Sequence, residues 1–522
     1  MWVRRWLVRG LAVASGCLLV LAFPAPALWW LAWAGLVPLL VLLARAGSVR
    51  EAVWRGFLAG AGFFLAFFHW VLPHVGLLAP VLGLVGGLLW VPFGVVAHRL
   101  LREPTAGRAA LAAVVLPSVW VAVEAVRSWE HLGGAWGLLG LTQWPARPLL
   151  ALASLGGVWL LGFVIVAVNV GLAVAVLPGP ARTFGAGLAL GIFALVLGYG
   201  LLRPDPVPTG SLRVAGVQPG PVDGAEERFT AHLELTRRAT GQDVVVWGQS
   251  STPFDPATRP GAVARLRAAA AAAGSDVLVN VDARAADGRI RKTTQQYGPD
   301  GLAGTYEKRR LVPFGEYVPL RPLLGGVLRG TGIAEEDRAP GGAPAILRIG
   351  EAGAGPLISY ESMFPDLRRE LVRLGADVTI VQGSLTSFHG TWAQPQQASA
   401  EAVRAVESGR SAVLVELNGT SAAFDAEGRR LAWMPPDERG VFVVDVPLYQ
   451  GATPYVRWGD WVPAAAFGIT AAAAARALLI RAGGAHYTAA AALRMTSATS
   501  AGCDSITRCE ESISTVVMPA RW

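Results

Sequence analysis

The sequence is short of cysteine. Three occur in 522 residues, Cys17, Cys503 and Cys509, and none lies between positions 18 and 502. Thiol chemistry is thereby excluded from the whole middle of the chain. Cys503 and Cys509 stand in a polar stretch, CDSITRC, with no further His or Cys nearby. A metal site needs about four ligands, so no metal is expected there. Charge is scarce as well. Asp, Glu, Lys and Arg make up 16% of the chain, against about 25% in soluble proteins. Mean hydropathy is +0.44. A chain so poor in charge is membrane-embedded over much of its length. The formal net charge is +8. A basic excess serves nucleic acid or an anionic membrane. Here arginine flanks apolar runs, which is the pattern of topology-setting charge and not of a nucleic-acid surface.

What the chain has instead is long apolar runs. Seven of spanning length occupy the first 205 residues, near 7–23, 27–44, 55–73, 77–98, 108–126, 157–177 and 183–201, and an eighth lies near 461–480. Gly and Ala within them suit close helix packing in lipid. AFPAPA after the first run has the look of a signal-peptidase site, but the runs that follow favour a membrane anchor. Arg4, Arg5 and Arg9 precede run one, and Arg45, Arg50 and Arg55 lie around the junction of runs two and three. Arg99, Arg102 and Arg108 lie near the next such junction, Arg182 between runs six and seven, and Arg476 and Arg481 at the end of run eight. Arg127 and Arg147 are the exceptions. The positive-inside rule then puts the N-terminus in the cytoplasm and residues 203–455 outside.

Residues 206–450 change character. VVVW (244–247), DVLVNV (276–281), PLISY (356–360), DVTIVQ (377–382), AVLVEL (412–417) and GVFVVDV (440–446) predict strands, and ARLRAAAAAAG (264–274) and QQASAEAVRAVESGR (396–410) predict helices. Apolar runs without alternation indicate strands covered on both faces. An α/β domain with its own core is expected here, followed by a helix over 455–485 and a disordered Ser/Thr/Ala-rich tail over 486–522.

Three segments place polar residues at strand ends or in loops, where α/β sheets build sites. They are VVVWGQSSTPFD, YEKRRLVPFGEYVPL and LISYES. A lysine in such a loop, Lys308, is as readily a solvated charge as a functional one. The same segments, with WLAWAGLVPLLVLLA, GFLAGAGFFLAFFHWV, GGAWGLLGLTQWP, LASLGGVW, VQPG, ISYE, RAVESGR and NGTSAAFDAEGR, make the chain resemble the bacterial apolipoprotein N-acyltransferases over roughly residues 15–480. LVPFGEYVPL is the most specific of them. The resemblance implies about eight transmembrane helices carrying an external nitrilase-like αββα sandwich in the cytoplasmic membrane. It implies transfer of an acyl chain from a phospholipid to the amine of a diacylglyceryl-cysteine lipoprotein, with no cofactor.

The family uses a Glu–Lys–Cys triad. The matching positions are Gln249, Lys308 and Ser359, so the lysine is retained while the base and the thiol are replaced. Glu316, Tyr360 and Glu361 match further active-site positions. Gly248 stands where the family has Pro, and QGSLTSFHG departs from its Asn-rich loop. Gln249 cannot take a proton at neutral pH, and a serine hydroxyl needs a positioned base. Three readings follow: an acyltransferase with Ser359 as nucleophile and a displaced base, Glu316 or Glu361; a pseudoenzyme that binds lipid or lipoprotein; or a membrane-tethered amidase.

Overall fold

The computed structural model describes residues 2–76, 79–326 and 336–500. A large body runs to Phe467, and a second unit begins at Gly468. The large body opens with helices α1 (Trp2–Val20), α2 (Val37–Ala44), α3 (Val49–Phe67), α4 (Ala79–Leu101), α5 (Ala106–Arg127), α6 (Ala153–Val176) and α7 (Arg182–Leu202). Ser48 and Thr105 cap α3 and α5, each hydroxyl accepting from the backbone N–H three residues on. Helices α4 to α7 and the Trp461–Ile480 part of the last helix are long and apolar enough to cross a membrane by length and composition.

The second apolar run departs from expectation. It is a 3-10 turn, Trp29–Trp33, followed by the short helix α2, not one span. The backbone groups freed by the break are bonded by a buried side chain from α6. Asn169 Oδ1 accepts from Leu36 N at 3.0 Å and Asn169 Nδ2 donates to Ala32 O at 2.8 Å. In an apolar surround such groups must find a partner, and Asn169 supplies it.

Two six-stranded sheets follow. The first has the order β12-β1-β2-β3-β4-β5 and the second β11-β10-β9-β8-β7-β6. The first comprises β1 (Gly210–Gln218), β2 (Val244–Trp247), β3 (Asp276–Arg284), β4 (Ile290–Gly298), β5 (Gly301–Glu307) and β12 (Gly440–Leu448). The second comprises β6 (Leu347–Ile349), β7 (Ala352–Ile358), β8 (Val378–Gly383), β9 (Ser411–Glu416), β10 (Ser421–Phe424) and β11 (Arg430–Met434). The central trios β1–β2–β3 and β7–β8–β9 are parallel. Alternate residues such as Val246, Leu278, Ala354, Ile380 and Val413 meet between the sheets. The opposite set of the first sheet, Val245, Trp247 and Val279, packs under α8 (Ala225–Thr236) and α9 (Ala262–Ala273). Helices α10 (Pro365–Arg373) and α11 (Ala393–Ser408) belong to the second sheet. Two apolar faces per sheet explain why these strands read as unbroken hydrophobic runs.

Helix α11 also meets the membrane helices. Trp136 Nε1 donates to Gln396 Oε1 at 3.0 Å, Gln396 Nε2 donates to Pro24 O at 3.0 Å, and Val158 N donates to Glu407 Oε1 at 2.6 Å. Gly156 and Gly157 break the helical path of α6 just before Val158, and Gly157 lies against Tyr455. Its φ is +67°, and a Cβ there would stand 2.5 Å from the Tyr455 ring.

The last helix, α12, runs Trp461–Ser500. Residues 486–500 are therefore helical, not the disordered tail expected. The run of alanines from Ala489 to Ala492 explains it, since Ala has the highest helix propensity. Residues 501–522, with Cys503 and Cys509, lie outside the described residues.

Candidate active site

The ends of β2, β5 and β7 carry Gln249, Lys308 and Ser359. The two sheets are stitched together beneath them. Gln382, at the end of β8, donates from Nε2 to Trp247 O at 2.8 Å, and its Oε1 accepts from Thr294 Oγ1 at 2.5 Å. Gln249 N donates to Gly383 O at 2.9 Å. Gly248 has no room for a side chain, because a Cβ would lie 2.2 Å from Leu417 N. A proline here would collide with the end of β9.

Lys308 is 1% exposed and donates to both carboxylate oxygens of Glu316, at 2.9 and 2.8 Å. Glu316 Oε2 also accepts from Val312 N at 2.9 Å, which closes the Pro313–Phe314–Gly315 turn onto the pair. Burial alone would push the Glu316 carboxyl up. The charges of Lys308 and then Lys292, with the hydrogen bonds from Lys308 and Val312, outweigh burial and hold it below the usual carboxylate range. The lysine is thus a buried, paired cation and not a solvated surface charge. An ammonium carries three protons, so one remains for a further acceptor.

Ser359 begins the turn after β7 with φ +50°. A non-glycine residue in this left-handed region costs roughly 1–2 kcal/mol and persists only where its surroundings hold it. Glu361 is what holds it. Its Oε2 accepts from Ile358 N at 2.9 Å; its Oε1 accepts from Tyr306 Oη at 2.8 Å, Arg309 N at 2.7 Å and Arg310 N at 3.1 Å. One carboxylate therefore clamps the serine turn to the two residues that follow Lys308. Burial pushes the Glu361 carboxyl up, against the pull of Lys308 and of these backbone N–H groups. Tyr360 fixes the other side, donating from Oη to Glu130 O at 2.9 Å. Gln397 Nε2 of α11 donates to Ser359 O at 3.2 Å. The Ser359 hydroxyl itself has no partner among the described residues. The Gln249 Oε1 is likewise buried without a partner.

The amino-acid sequence profiles of known families match both halves of the chain. The apolipoprotein N-acyltransferase N-terminal domain matches residues 15–171, and carbon-nitrogen hydrolase matches residues 213–453. The apolipoprotein N-acyltransferase of Azotobacter vinelandii is 32% identical over 492 residues, covering 88% of this chain and 93% of that protein. That of Geobacter metallireducens is 30% identical over 504 residues, covering 89% and 95%. The chain belongs to the apolipoprotein N-acyltransferase family. It is thereby an acyltransferase-type member of the carbon-nitrogen hydrolase superfamily, with a nitrilase fold following its membrane helices. Among solved structures, an amidase from Nesterenkonia sp. is similar at 19% identity and TM-score 0.35, covering 47% of this chain and 93% of that one. Among the described residues no cluster of His, Cys, Asp and Glu is arranged to hold a metal.

The apolipoprotein N-acyltransferase motifs lead to Lys308, Glu316, Ser359, Tyr360 and Glu361, but two groups were not found from them. One is Ser250, Asp282 and Lys292. Ser250, at φ +58°, donates to Asp282 Oδ2 at 2.8 Å and accepts from Lys292 Nζ at 2.8 Å, while Lys292 and Asp282 pair at 2.7 Å. Lys292 sits in an alternating strand with no motif around it. The other is Glu416. Its signal was visible, a lone carboxylate in the apolar strand AVLVEL.

Proposed function

We propose that this chain takes an acyl chain from a membrane phospholipid onto Ser359 and passes it to the free amine of a diacylglyceryl-cysteine lipoprotein. The domain over residues 203–455 then faces the extracytoplasmic side of the bacterial cytoplasmic membrane, where such acceptors arrive. The observation that carries this reading is the serine turn. A left-handed serine with an unbonded hydroxyl is held by Glu361, Tyr360 and Gln397, and the same Glu361 ties its turn to the two residues after the buried Lys308. Strain of this kind is retained where geometry is used.

In the proposed reaction, Ser359 Oγ attacks the ester carbonyl of the phospholipid. Lys308 donates its remaining N–H to the developing oxyanion, anchored by Glu316. Collapse releases the lysophospholipid and leaves an oxyester on Ser359. The acceptor amine then attacks that ester, and the serine is regenerated. Glu361 has every oxygen engaged by clamp hydrogen bonds, and Glu316 is neutralised by Lys308. Both are better placed to position groups than to take a proton.

The test is intact mass of the purified full-length chain after incubation with phospholipid vesicles. An added acyl mass that hydroxylamine removes, and that Ser359→Ala lacks, is expected. An unmodified chain would favour the second reading, a lipid- or lipoprotein-binding pseudoenzyme, which the amide at position 249 supports.

A further inference from the structure

Gln249 removes a carboxylate from the end of β2, and the structure puts another one beside the gap. Glu416 ends β9 and is 1% exposed. Its Oε2 accepts from Leu385 N at 2.9 Å, while its Oε1 is buried without a partner. It lies in a cradle of glycines. A Cβ on Gly383 would stand 1.9 Å from Glu416 Oε1, and one on Gly419 would stand 2.7 Å from Oε2. The same Gly383 carbonyl accepts from both Gln249 N at 2.9 Å and Leu417 N at 3.0 Å, so the two segments straddle one peptide. Gly248 completes the fit, since any side chain there would meet the backbone at Glu416–Leu417. The replacements at 248 and 249 and the carboxylate at 416 thus form one packing unit.

Helix α11 connects this unit to the serine turn. Gln394 Nε2 donates to Asn418 O at 3.1 Å, and one turn on Gln397 Nε2 donates to Ser359 O at 3.2 Å. Three residues advance a helix about 4.5 Å, so the Glu416 loop and Ser359 face neighbouring turns of α11. Glu401, a further turn along, acts electrostatically on Glu416. Side-chain oxygens of Gln397, Glu401, Asn418 and Gln249 are, like Glu416 Oε1, buried and unpartnered. Buried acceptors of this kind call for a shared proton or a bridging water.

We propose that Glu416 is the proton acceptor for Ser359, acting through one bridging water in place of the carboxylate that Gln249 lacks. The proposal rests on the acyl-transfer reading above. As the Oγ–C bond forms, the Ser359 proton passes to the Glu416 carboxylate. When the tetrahedral adduct breaks its C–O bond to glycerol, that proton passes back to the departing alkoxide. Burial, reinforced by Glu401 and opposed by the Leu385 N–H, raises the Glu416 carboxyl to about 8. A base at that value is strong enough to assist a hydroxyl and acts only when deprotonated.

The experiment is the initial rate of Ser359 acylation by phosphatidylethanolamine vesicles, followed by intact mass from pH 5.5 to 9.5. In the unaltered chain the rate should rise about tenfold per unit up to about pH 8 and then level. Glu416→Gln should lower the plateau about 100-fold or more and abolish that limb. Adding Gln249→Glu to Glu416→Gln should restore acylation with the limb moved to lower pH. A flat profile in the unaltered chain, or equal rates with Glu416→Gln, would overturn the role of Glu416 while leaving Ser359 as nucleophile. Acylation appearing only after Gln249→Glu would also overturn it. No acyl mass in either the unaltered chain or Gln249→Glu would overturn the acyl-transfer reading itself. If Glu416→Gln fails to fold, the profile of the unaltered chain decides alone.

Discussion

Replacing Lys308 by methionine keeps the length of the side chain and removes its charge. Lys308 and Glu316 are both buried, with side chains 1% and 7% exposed. Removing one partner of such a pair leaves an uncompensated charge and costs about 3–5 kcal/mol. For a domain of about 200 residues that corresponds to an unfolding midpoint lowered by roughly 6–20 °C. The loss should depend on pH in a way that identifies its cause. In the unaltered protein the Glu316 carboxyl is held down, against burial, chiefly by Lys308. Its contribution is fully present above the unfolded value and is lost only as pH falls through the lower folded one. Without Lys308, burial dominates over the weaker pull of Lys292 and the Val312 N–H that remain. The folded value then rises, and stability is lost as pH climbs through it. Acidification from pH 8 to pH 5 should therefore narrow the gap between the two proteins. Glu416 contributes the same slope to both and cancels. Thermal unfolding in one detergent at three pH values measures this. A gap independent of pH, or below about 1 kcal/mol, would refute the buried pair. Acyl transfer should fall about 10²–10³-fold by loss of one oxyanion donor.

Ser359→Gly should raise the unfolding midpoint slightly, since glycine adopts φ +50° without the cost of roughly 1–2 kcal/mol, while acylation disappears. Gln249→Glu combined with Ser359→Cys should yield a thioester with a phospholipid acyl chain. Each single change should give less, because nucleophile and base act as a unit; mass spectrometry with neutral hydroxylamine reads it. Reporter fusions near residue 300 should report an extracytoplasmic location, and activity of a cytoplasmic reporter there would reverse the proposed orientation.

Periodicity and strand-end chemistry carried much of the site into view. VVVW, DVTIVQ and AVLVEL are β2, β8 and β9 almost to the residue, because strands covered on both faces have little choice of composition. Strands β4 and β5 were not legible. Their residues IRKTTQQYG and GLAGTYE are polar or small and are stabilised by pairing at one side of the sheet. PLISY reads as a strand to its end, yet the strand stops at Ile358, because Glu361 bonds back to Ile358 N and turns the chain. The broken second apolar run depended on Asn169, more than a hundred residues away, which no local window contains. Glu416 shows the same limit. Its residue type stood out, but its nearness to Gln249 comes from three glycines on three separate segments.

Helix α11 has a consequence for biogenesis. Its buried face carries Gln396 and Glu407, and their partners, Pro24, Trp136 and Val158, belong to the membrane region. Gln394, Gln397, Glu401 and Arg404 of the same helix find partners within residues 206–450, whereas Gln396 and one oxygen of Glu407 are bonded from outside it. Residues 206–450 made alone would expose this strip of polar groups together with apolar surface. The sheet domain is thus completed by contact with the N-terminal half of the chain. Gln397 of the same helix bonds to Ser359 O, so the serine turn rests on a helix whose neighbouring residues reach into the membrane-helix region.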